Sequence, residues 1–546
     1  MTNHSDQIPP MSRRESGSDG RLVDCVGLIV CGAVVAWLLR PLQNTPFIDD
    51  FTYAWSVEWL RQHHQLRILE WSANLNITQV LWGWLFCLPG GFSFTALRLS
   101  TLVLAWSGLC AFYLLLRELQ VARRDALVGT GLLGVNPVFF MLGFTFMTDV
   151  PFLVLLLWSC YTMVRALRQQ SDRWLLLSVG VACLAAGTRA TAAPIPVAMM
   201  IALVFHSQGW GRQRGRFLWP VAALLVLAFW ISWRTGHTVA SADVSDLEGS
   251  PADRMRGLRY AIPLLPRMLL VDSLFAATMV GWSCLPLALA CIRKRGAGRA
   301  LMVLGGFGAL VLLAHRLGVR CPDPLSTDST WSLVELGGTE GLVPGYLKPT
   351  WPGWWGVMIW LVGLSSAAVL VARVRGQETS PGAAFLLWMT AGQFLLLAVL
   401  WLIYDRYALT LVPLSIALVL ASHPPLRWAR AGPVILGLAV VSFIGVRDHL
   451  AYNRALWQGV DELRRQGAAD AEIDGGYVVN GWLQYAHPEH APRDAQGRIL
   501  VTWFNTHDSS AKYLISNSPT PARKLLATIP YRRWLGRSGC LYLYER

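Results

Sequence analysis

Long apolar runs separated by short polar loops make up most of the chain. A helix needs roughly 20 apolar residues to cross a bilayer, with a range of about 17 to 25. By that measure 22–39, 95–116, 125–144, 149–167, 174–187, 190–206, 217–233, 268–292, 299–317, 352–373, 383–403, 406–421 and 429–446 are candidate spans, thirteen in all. The run from Trp174 to Phe205 is broken only at Thr188 and Arg189. At about 1.5 Å per residue it is too long for one hydrocarbon core of about 30 Å, so it reads as a hairpin turning at Arg189. The run 77–91, "ITQVLWGWLFCLPGG", is short and ends in Pro-Gly-Gly, which suits an interfacial or re-entrant helix. Between Phe51 and Gln65 the residues Phe51, Ala54, Trp55 and Trp59 recur at helical spacing opposite Arg61, Gln62, His63 and His64. That pattern predicts an amphipathic helix lying at the membrane surface.

Beyond about 448 the pattern changes. "GYVVNGWLQY", "RILVTWF", "KYLIS" and "CLYLYE" read as short strands and "PARKLLATI" as a helix. The expected architecture is therefore an all-α polytopic membrane protein of about thirteen transmembrane helices with a small α/β C-terminal domain. Its parts are a cytoplasmic tail at 1–21, a membrane domain at 22–446 with a first outer loop at 40–94, and the extracytoplasmic domain at 447–546.

Composition agrees with the pattern. Hydrophobic residues make up 54% of the 546 positions and charged residues 15%, a balance that excludes a soluble multidomain chain. The formal charge of +14 is distributed rather than pooled: Arg and Lys cluster at 117–124, 165–173, 212–216, 293–299, 373–375 and 427–430. All these loops fall on the cytoplasmic side if the N-terminus is inside, so the charge sets orientation in the plasma membrane and not nucleic-acid binding. The polar first 21 residues and the uncleaved-looking run after them read as a retained signal anchor. Most of the ten Cys lie in apolar runs without a C-x-x-C pair; only Cys321 and Cys540 clearly stand in loops or tails.

This sidedness gathers chemistry at the outer ends of the spans. "NTPFIDDFTYAW" (44–55) brings Asp49 and Asp50, and Arg98, Asp149, Arg189 and "YDRY" (404–407) join them. Singly, each acid is simplest as a solvated cap and each Arg as a snorkelling anchor; Asp149 before Pro151 has the look of a helix start. Jointly, caps have no reason to collect carboxylates and guanidinium groups on one side, and ionisable groups at membrane depth are costly. A carboxylate that takes a proton from an acceptor, beside an Arg that holds a phosphate leaving group in a fork, is the equipment of group transfer. Adjacent His63 and His64 suit a surface or substrate contact better than a shared metal, "HPEH" (487–490) reads as a solvated loop, "NIT" (76–78) fits a glycosylation acceptor but is short enough to match by chance, and no G-x-G-x-x-G or G-K-[ST] loop supports a nucleotide. A transporter or flippase of a lipid-linked substrate is the alternative, although no repeated halves are visible.

The motifs resemble the GT-C glycosyltransferases that use polyprenyl-phosphate sugars, in particular the branch of protein O-mannosyltransferases and the lipid A aminoarabinose transferase. The carriers are "FIDDFTYAW", "RLSTLVLAW", "NPVFFMLGFTFMTDVPFLVLLLW", "GTRATAAPIP" and "DRYALTLVP", in that order over 22–446. The resemblance implies Asp49 as catalytic carboxylate, Asp50 as its orienting partner or an acceptor contact, and Asp149 as an acid that helps bind or activate the acceptor. It further implies Arg189, Arg406 and Arg98 as holders of the lipid phosphate, with Tyr53, Tyr404 and Tyr407 lining the site. The implied partners are the membrane, a polyprenyl-phosphate sugar donor and a lipid, glycan or protein acceptor. No cofactor is required by this reading, and a divalent metal is left open. The chain departs from the branch in carrying Asp50 where Glu is common, and "NLNITQVLWG" where several members carry Lys-Pro-Pro.

Overall fold

The computed structural model describes residues 17–239 apart from Glu70, Ala73 and Gln208, then 251–292, 343–346, 353–374, 380–400, 404–424, 426–490, 511–534 and 538–545. The helices are α1 (Gly17–Leu39), α2 (Asp50–His63), α3 (Ile77–Cys87), α4 (Phe94–Glu118), α5 (Arg123–Gly134), α6 (Pro137–Leu142), α7 (Asp149–Gln169), α8 (Asp172–Ala186), α9 (Pro194–Phe205) and α10 (Trp219–His237). They continue as α11 (Pro251–Ser283), α12 (Leu285–Cys291), α13 (Gly353–Val374), α14 (Pro381–Ala398), α15 (Leu411–Ala421), α16 (Trp428–Arg465) and the single turn α17 (Tyr477–Asn480). Among the described residues seven helices are long and apolar enough to cross a membrane, or eight if the pair bent by 70° between Ser283 and Leu285 counts as one span. The protein is thus a multi-pass membrane protein. The span count differs from the thirteen expected for definable reasons.

The segment 125–144 is not one helix. Pro137 disfavours the helical conformation at the residue before it and lacks an N–H to donate. Asn136 instead caps α6, its Oδ1 accepting from the N–H groups of Val138 (3.0 Å) and Phe139 (3.1 Å). α8 and α9, with 15 and 12 residues, form the expected hairpin around Arg189 but are individually short. The expected span 299–317 lies outside the described residues, as do Cys321 and "RILVTWF".

α7 forms the centre of the bundle, packed between α4 and α8, with Val150, Leu153, Leu156, Leu157 and Cys160 inaccessible or nearly so. Apolar side chains that remain exposed, such as Leu22 and Trp37 on α1 and Leu225 and Phe229 on α10, are the lipid-facing stripes of spans. The basic loops find carboxylates at one end of the bundle: Arg123 pairs with Asp24 at 2.6 Å, Arg168 with Glu118 at 3.2 Å and Arg216 with Asp172 at 2.7 Å. α4 and α7 both start at the other end, which carries Asp49, Asp149, Arg189 and Arg406.

Two expectations for the C-terminal segment are corrected. "GYVVNGWLQY" is helical, as α17 and the wide turn Gly481–Tyr485, and "PARKLLATI" is no helix but runs from Lys524 onward into a strand. The strands β3 (Ile473–Asp474), β4 (Tyr513–Ser516), β5 (Lys524–Tyr531) and β6 (Gly539–Glu545) form a sheet in the order β3-β4-β6-β5, parallel between β3 and β4 and antiparallel elsewhere. "KYLIS" and "CLYLYE" are in it. Two short strands, β1 (Ile68–Leu69) and β2 (Thr238–Val239), pair in parallel between the first outer loop and the end of α10.

α2 is helical where predicted, but its aromatic face is turned inward. Phe51 and Trp55 pack with Tyr477, Val478 and Leu483, and a Cβ placed at Gly481 would come 2.4 Å from Cζ of the Phe51 ring. Protein, not lipid, covers that face.

Candidate functional site

The chain enters α2 through a tight local structure. Phe47 donates its N–H to Oδ1 of Asp50 at 2.6 Å while the N–H of Asp50 returns to the Phe47 carbonyl at 3.0 Å. Closing that ring forces Ile48 to φ +46°, a left-handed conformation that a β-branched residue adopts at a cost of about 1–3 kcal/mol. The turn points Asp50 into the protein and leaves Asp49 at the helix start with no bond to its own helix from the side chain. Asp50 is wholly inaccessible, with Oδ2 facing the N–H of Phe146 at 3.4 Å. Burial raises its carboxyl to about 7 against the pull of the nearby Arg98.

Two long-range partners aim Asp49. Its Oδ2 accepts from Nη2 of Arg406 at 3.2 Å, and its Oδ1 from Oη of Tyr477 at 2.6 Å. The carboxylate keeps 23% of its side-chain surface open, against 3% for Asp149. Asp149 opens α7 and meets Nη1 of Arg189 at 2.5 Å, with both side chains buried. Among the described residues its second oxygen, Oδ2, and Nε of Arg189 have no hydrogen-bond partner. Burial pulls the Arg189 guanidinium down, but the Asp149 carboxylate beside it outweighs that and holds it above its ordinary value.

Tyr residues join the two pairs. Arg189 lies over the ring of Tyr407 at 5.0 Å, and Arg406 over Tyr404 at 4.7 Å and Tyr407 at 5.7 Å. Tyr53 is buried in the middle, its hydroxyl pushed up to about 12 by burial and then by Asp49, within the fields of Asp49, Arg406, Asp149 and Arg189. Its Oη accepts from Nδ2 of Asn74 at 3.3 Å, and that amide also reaches Oγ1 of Thr148 at 3.1 Å. Asp49, Asp149, Arg189, Arg406, Tyr53, Tyr404 and Tyr407 are therefore one cluster.

Arg98 and Asp50 stand outside it. Arg98 is buried below Phe47, 4.1 Å from the ring centroid. Its Nε donates to Phe144 O at 2.7 Å, Nη1 to Pro41 O at 3.2 Å and to Gln43 O, and Nη2 to Thr45 O at 2.9 Å. Four of its donors are spent on carbonyls of the segment between α1 and α2 and of the turn before α7, so it ties those two together. Asp50 reaches the same turn through Phe146.

The residue that sequence reasoning missed is Tyr477. It lies some 428 positions after Asp49 in the chain, within a segment read there as a strand, and no local pattern marks it. Asn74 opens "NLNITQVLWG", noted in the sequence only for lacking Lys-Pro-Pro, and nothing there marks its side chain. Among the described residues no group of three or more His, Cys, Asp or Glu could hold a metal ion.

Comparisons with known proteins bear on the same residues. Residues 81–233, which include Arg98, Asp149 and Arg189, match the family model of dolichyl-phosphate-mannose-protein mannosyltransferase. No curated protein matches the chain significantly. Among solved structures, ArnT from Cupriavidus metallidurans in the apo state is similar at 12% identity and a TM-score of 0.38, over 96% of this chain and 98% of that one. The same protein bound to undecaprenyl phosphate is similar at 12% and 0.36 over the same shares. The Archaeoglobus fulgidus oligosaccharyltransferase in the apo form is similar at 12% and 0.41, over 82% of this chain and 58% of that one. The family match is confined to residues 81–233, so it takes in Arg98, Asp149 and Arg189 and leaves Asp49, Arg406 and Tyr477 outside it.

Proposed function

We propose that the protein is an integral membrane glycosyltransferase that moves a sugar from a polyprenyl-phosphate donor to an acceptor hydroxyl or amine on the extracytoplasmic face. The observation that carries this reading is the pairing of two carboxylates with two guanidinium groups around Tyr53, at the opposite end of the bundle from the basic loops.

Arg406 holds one oxygen of Asp49, Oδ2. A donor phosphate offers Arg406 a stronger, bidentate partner, so donor binding draws the guanidinium off and frees Oδ2. The acceptor heteroatom then attacks the anomeric carbon, the bond from that carbon to the phosphate oxygen breaks, and its electron pair leaves with the polyprenyl phosphate. The acceptor proton passes to Asp49. Arg406 and Arg189 meet the charge that grows on the phosphate, and Oδ2 of Asp149, without a partner, is placed to accept a hydrogen bond from the acceptor. Arg98, its donors already committed, shapes the outer loop and leaves the phosphate to the other two arginines.

The test is transfer from a radiolabelled polyprenyl-phosphate sugar by the purified protein. Asp49→Asn is expected to lose about 10² to 10⁴ in rate, the usual worth of a general base, while still inserting and eluting as a monodisperse species. Intact labelled lipid appearing on the far side of vesicles, with no sugar transferred or released, would support a flippase and reject the enzyme.

A further inference from the structure

We infer that Tyr477, supplied by the segment beyond the last membrane helix and backed by Trp71, is a positioning residue that holds Oδ1 of Asp49 while Oδ2 takes the acceptor proton. The inference rests on the transferase reading above and adds a part to it.

The geometry runs through three residues far apart in sequence. Trp71 donates from Nε1 to Oη of Tyr477 at 2.9 Å, and Tyr477 donates from Oη to Oδ1 of Asp49 at 2.6 Å. A hydroxyl that accepts one hydrogen bond becomes a better donor in the next. The order Trp71, Tyr477, Asp49 therefore directs donation towards the carboxylate. Trp71 itself is anchored, its backbone N–H donating to Oη of Tyr485 at 3.2 Å.

Asp49 needs such a holder. Its side chain makes no bond within α2, and the Arg406 bond is the one a donor phosphate takes away. Once that happens, Tyr477 is the hydrogen bond that keeps the carboxylate aimed, and a base misplaced by about 1 Å can lose about 100-fold in rate. Division of labour between the two oxygens follows: Oδ1 stays with Tyr477, and Oδ2, vacated by Arg406, receives the proton. Tyr477 keeps its own proton throughout, because burial and then the charge of Asp49 hold its hydroxyl well above the ordinary range.

The segment is fitted to this task by packing. The Tyr477 ring stands edge-on to Phe51, centroids 5.6 Å apart. Gly481, one turn later, receives the Phe51 ring where any side chain would collide. Phe51 sits two residues from Asp49 on the same helix, so the C-terminal segment is registered against the base by both a hydrogen bond and a ring contact.

The experiment uses the full-length protein in detergent, with radiolabelled polyprenyl-phosphate mannose as donor and a cell-envelope fraction as acceptor source. Tyr477→Phe keeps the ring against Phe51 and removes only the hydroxyl. It is expected to lower kcat about 10- to 100-fold, the worth of a hydrogen bond to a charged acceptor, with the donor KM within about 2-fold. Trp71→Phe is expected to lower kcat by less, and Tyr477→Phe/Trp71→Phe to be no slower than Tyr477→Phe alone, because the bond from Trp71 reaches Asp49 through the Tyr477 hydroxyl. Tyr477→Phe placed on Asp49→Asn should cost nothing further. Wild-type kcat in Tyr477→Phe, or losses that simply multiply in either double variant, would overturn the inference. Wild-type protein that moves intact labelled lipid across vesicles and neither transfers nor releases sugar would instead sink the transferase reading, so the two failures are told apart.

Discussion

Asp149 and Arg189 form an ion pair with both side chains out of solvent, and this allows a quantitative test by a double-mutant cycle. At an effective dielectric of about 20 and a charge separation of about 4 Å, the attraction is about 4 kcal/mol. Removing either partner also strands the other charge in a dry site, and such single losses cost about 3–5 kcal/mol. Asp149→Asn leaves Arg189 facing an amide, and Arg189→Gln leaves Asp149 facing one while also losing the contact over Tyr407. Each single variant is therefore expected to be destabilised by about 3–5 kcal/mol. Asp149→Asn/Arg189→Gln should be destabilised by much less than the sum, with a coupling of about 2–4 kcal/mol, since neither stranded charge remains. Chemical unfolding of the four proteins in one detergent, followed by Trp fluorescence, measures this directly. Additivity to within about 0.5 kcal/mol would refute the premise that the pair is buried and dry.

Other outcomes follow from the same geometry. Arg98→Lys cannot reproduce a fork that reaches four carbonyls, so it should lower folded yield and unfolding resistance while leaving the donor KM of the surviving protein near wild type; a KM raised 10-fold with normal stability would restore Arg98 to the phosphate site. Burial lifts Asp50 to about 7 in the folded protein, above the unfolded value near 4. The folded state thus binds more protons than the unfolded state between about pH 4 and 7, and stability falls as pH rises through that window. Asp50→Asn should flatten that fall in unfolding curves taken from pH 5 to 8, and an unchanged slope would contradict it. Gly481→Ala must displace Phe51 or the C-terminal segment, and is expected to lower transfer activity at least 10-fold; normal activity would show that the docking against α2 is dispensable.

Much of the membrane part was legible because its signals are local. The break at Thr188 and Arg189 could be found by length alone, and the basic loops assigned Asp49, Asp149 and Arg406 to one end without any contact being known. The helix 125–144 was misread because the apolar run continues through Asn136 and Pro137 while the backbone does not. The site depends on the next turn, between α6 and α7, which brings Phe144 and Phe146 to Arg98 and Asp50. The C-terminal segment was least legible. "PARKLLATI" is made of helix formers, but Lys524 to Tyr531 pair along β6, and sheet pairing overrides intrinsic preference. "GYVVNGWLQY" has the β-branched look of a strand, yet it curls because Gly481 must admit Phe51. In α2 the amphipathic pattern was read correctly and its partner was not: periodicity reports that a face is buried, never what buries it. Tyr477 could be reached only through that partner.

α16 runs for 38 residues without interruption, about 57 Å at 1.5 Å per residue, nearly twice the roughly 30 Å of hydrocarbon it has to cross. Its outer half carries Gly459 against Leu543 and Ile515 of the sheet, so it acts as a ruler: the height and bearing of everything beyond it are fixed in helical steps. Each residue inserted there would lift the outer part by about 1.5 Å and swing it by about 100°. Length in this stretch is therefore as strict a requirement as side-chain identity, since a single inserted residue carries the outer part away from the first loop even with every contact residue intact.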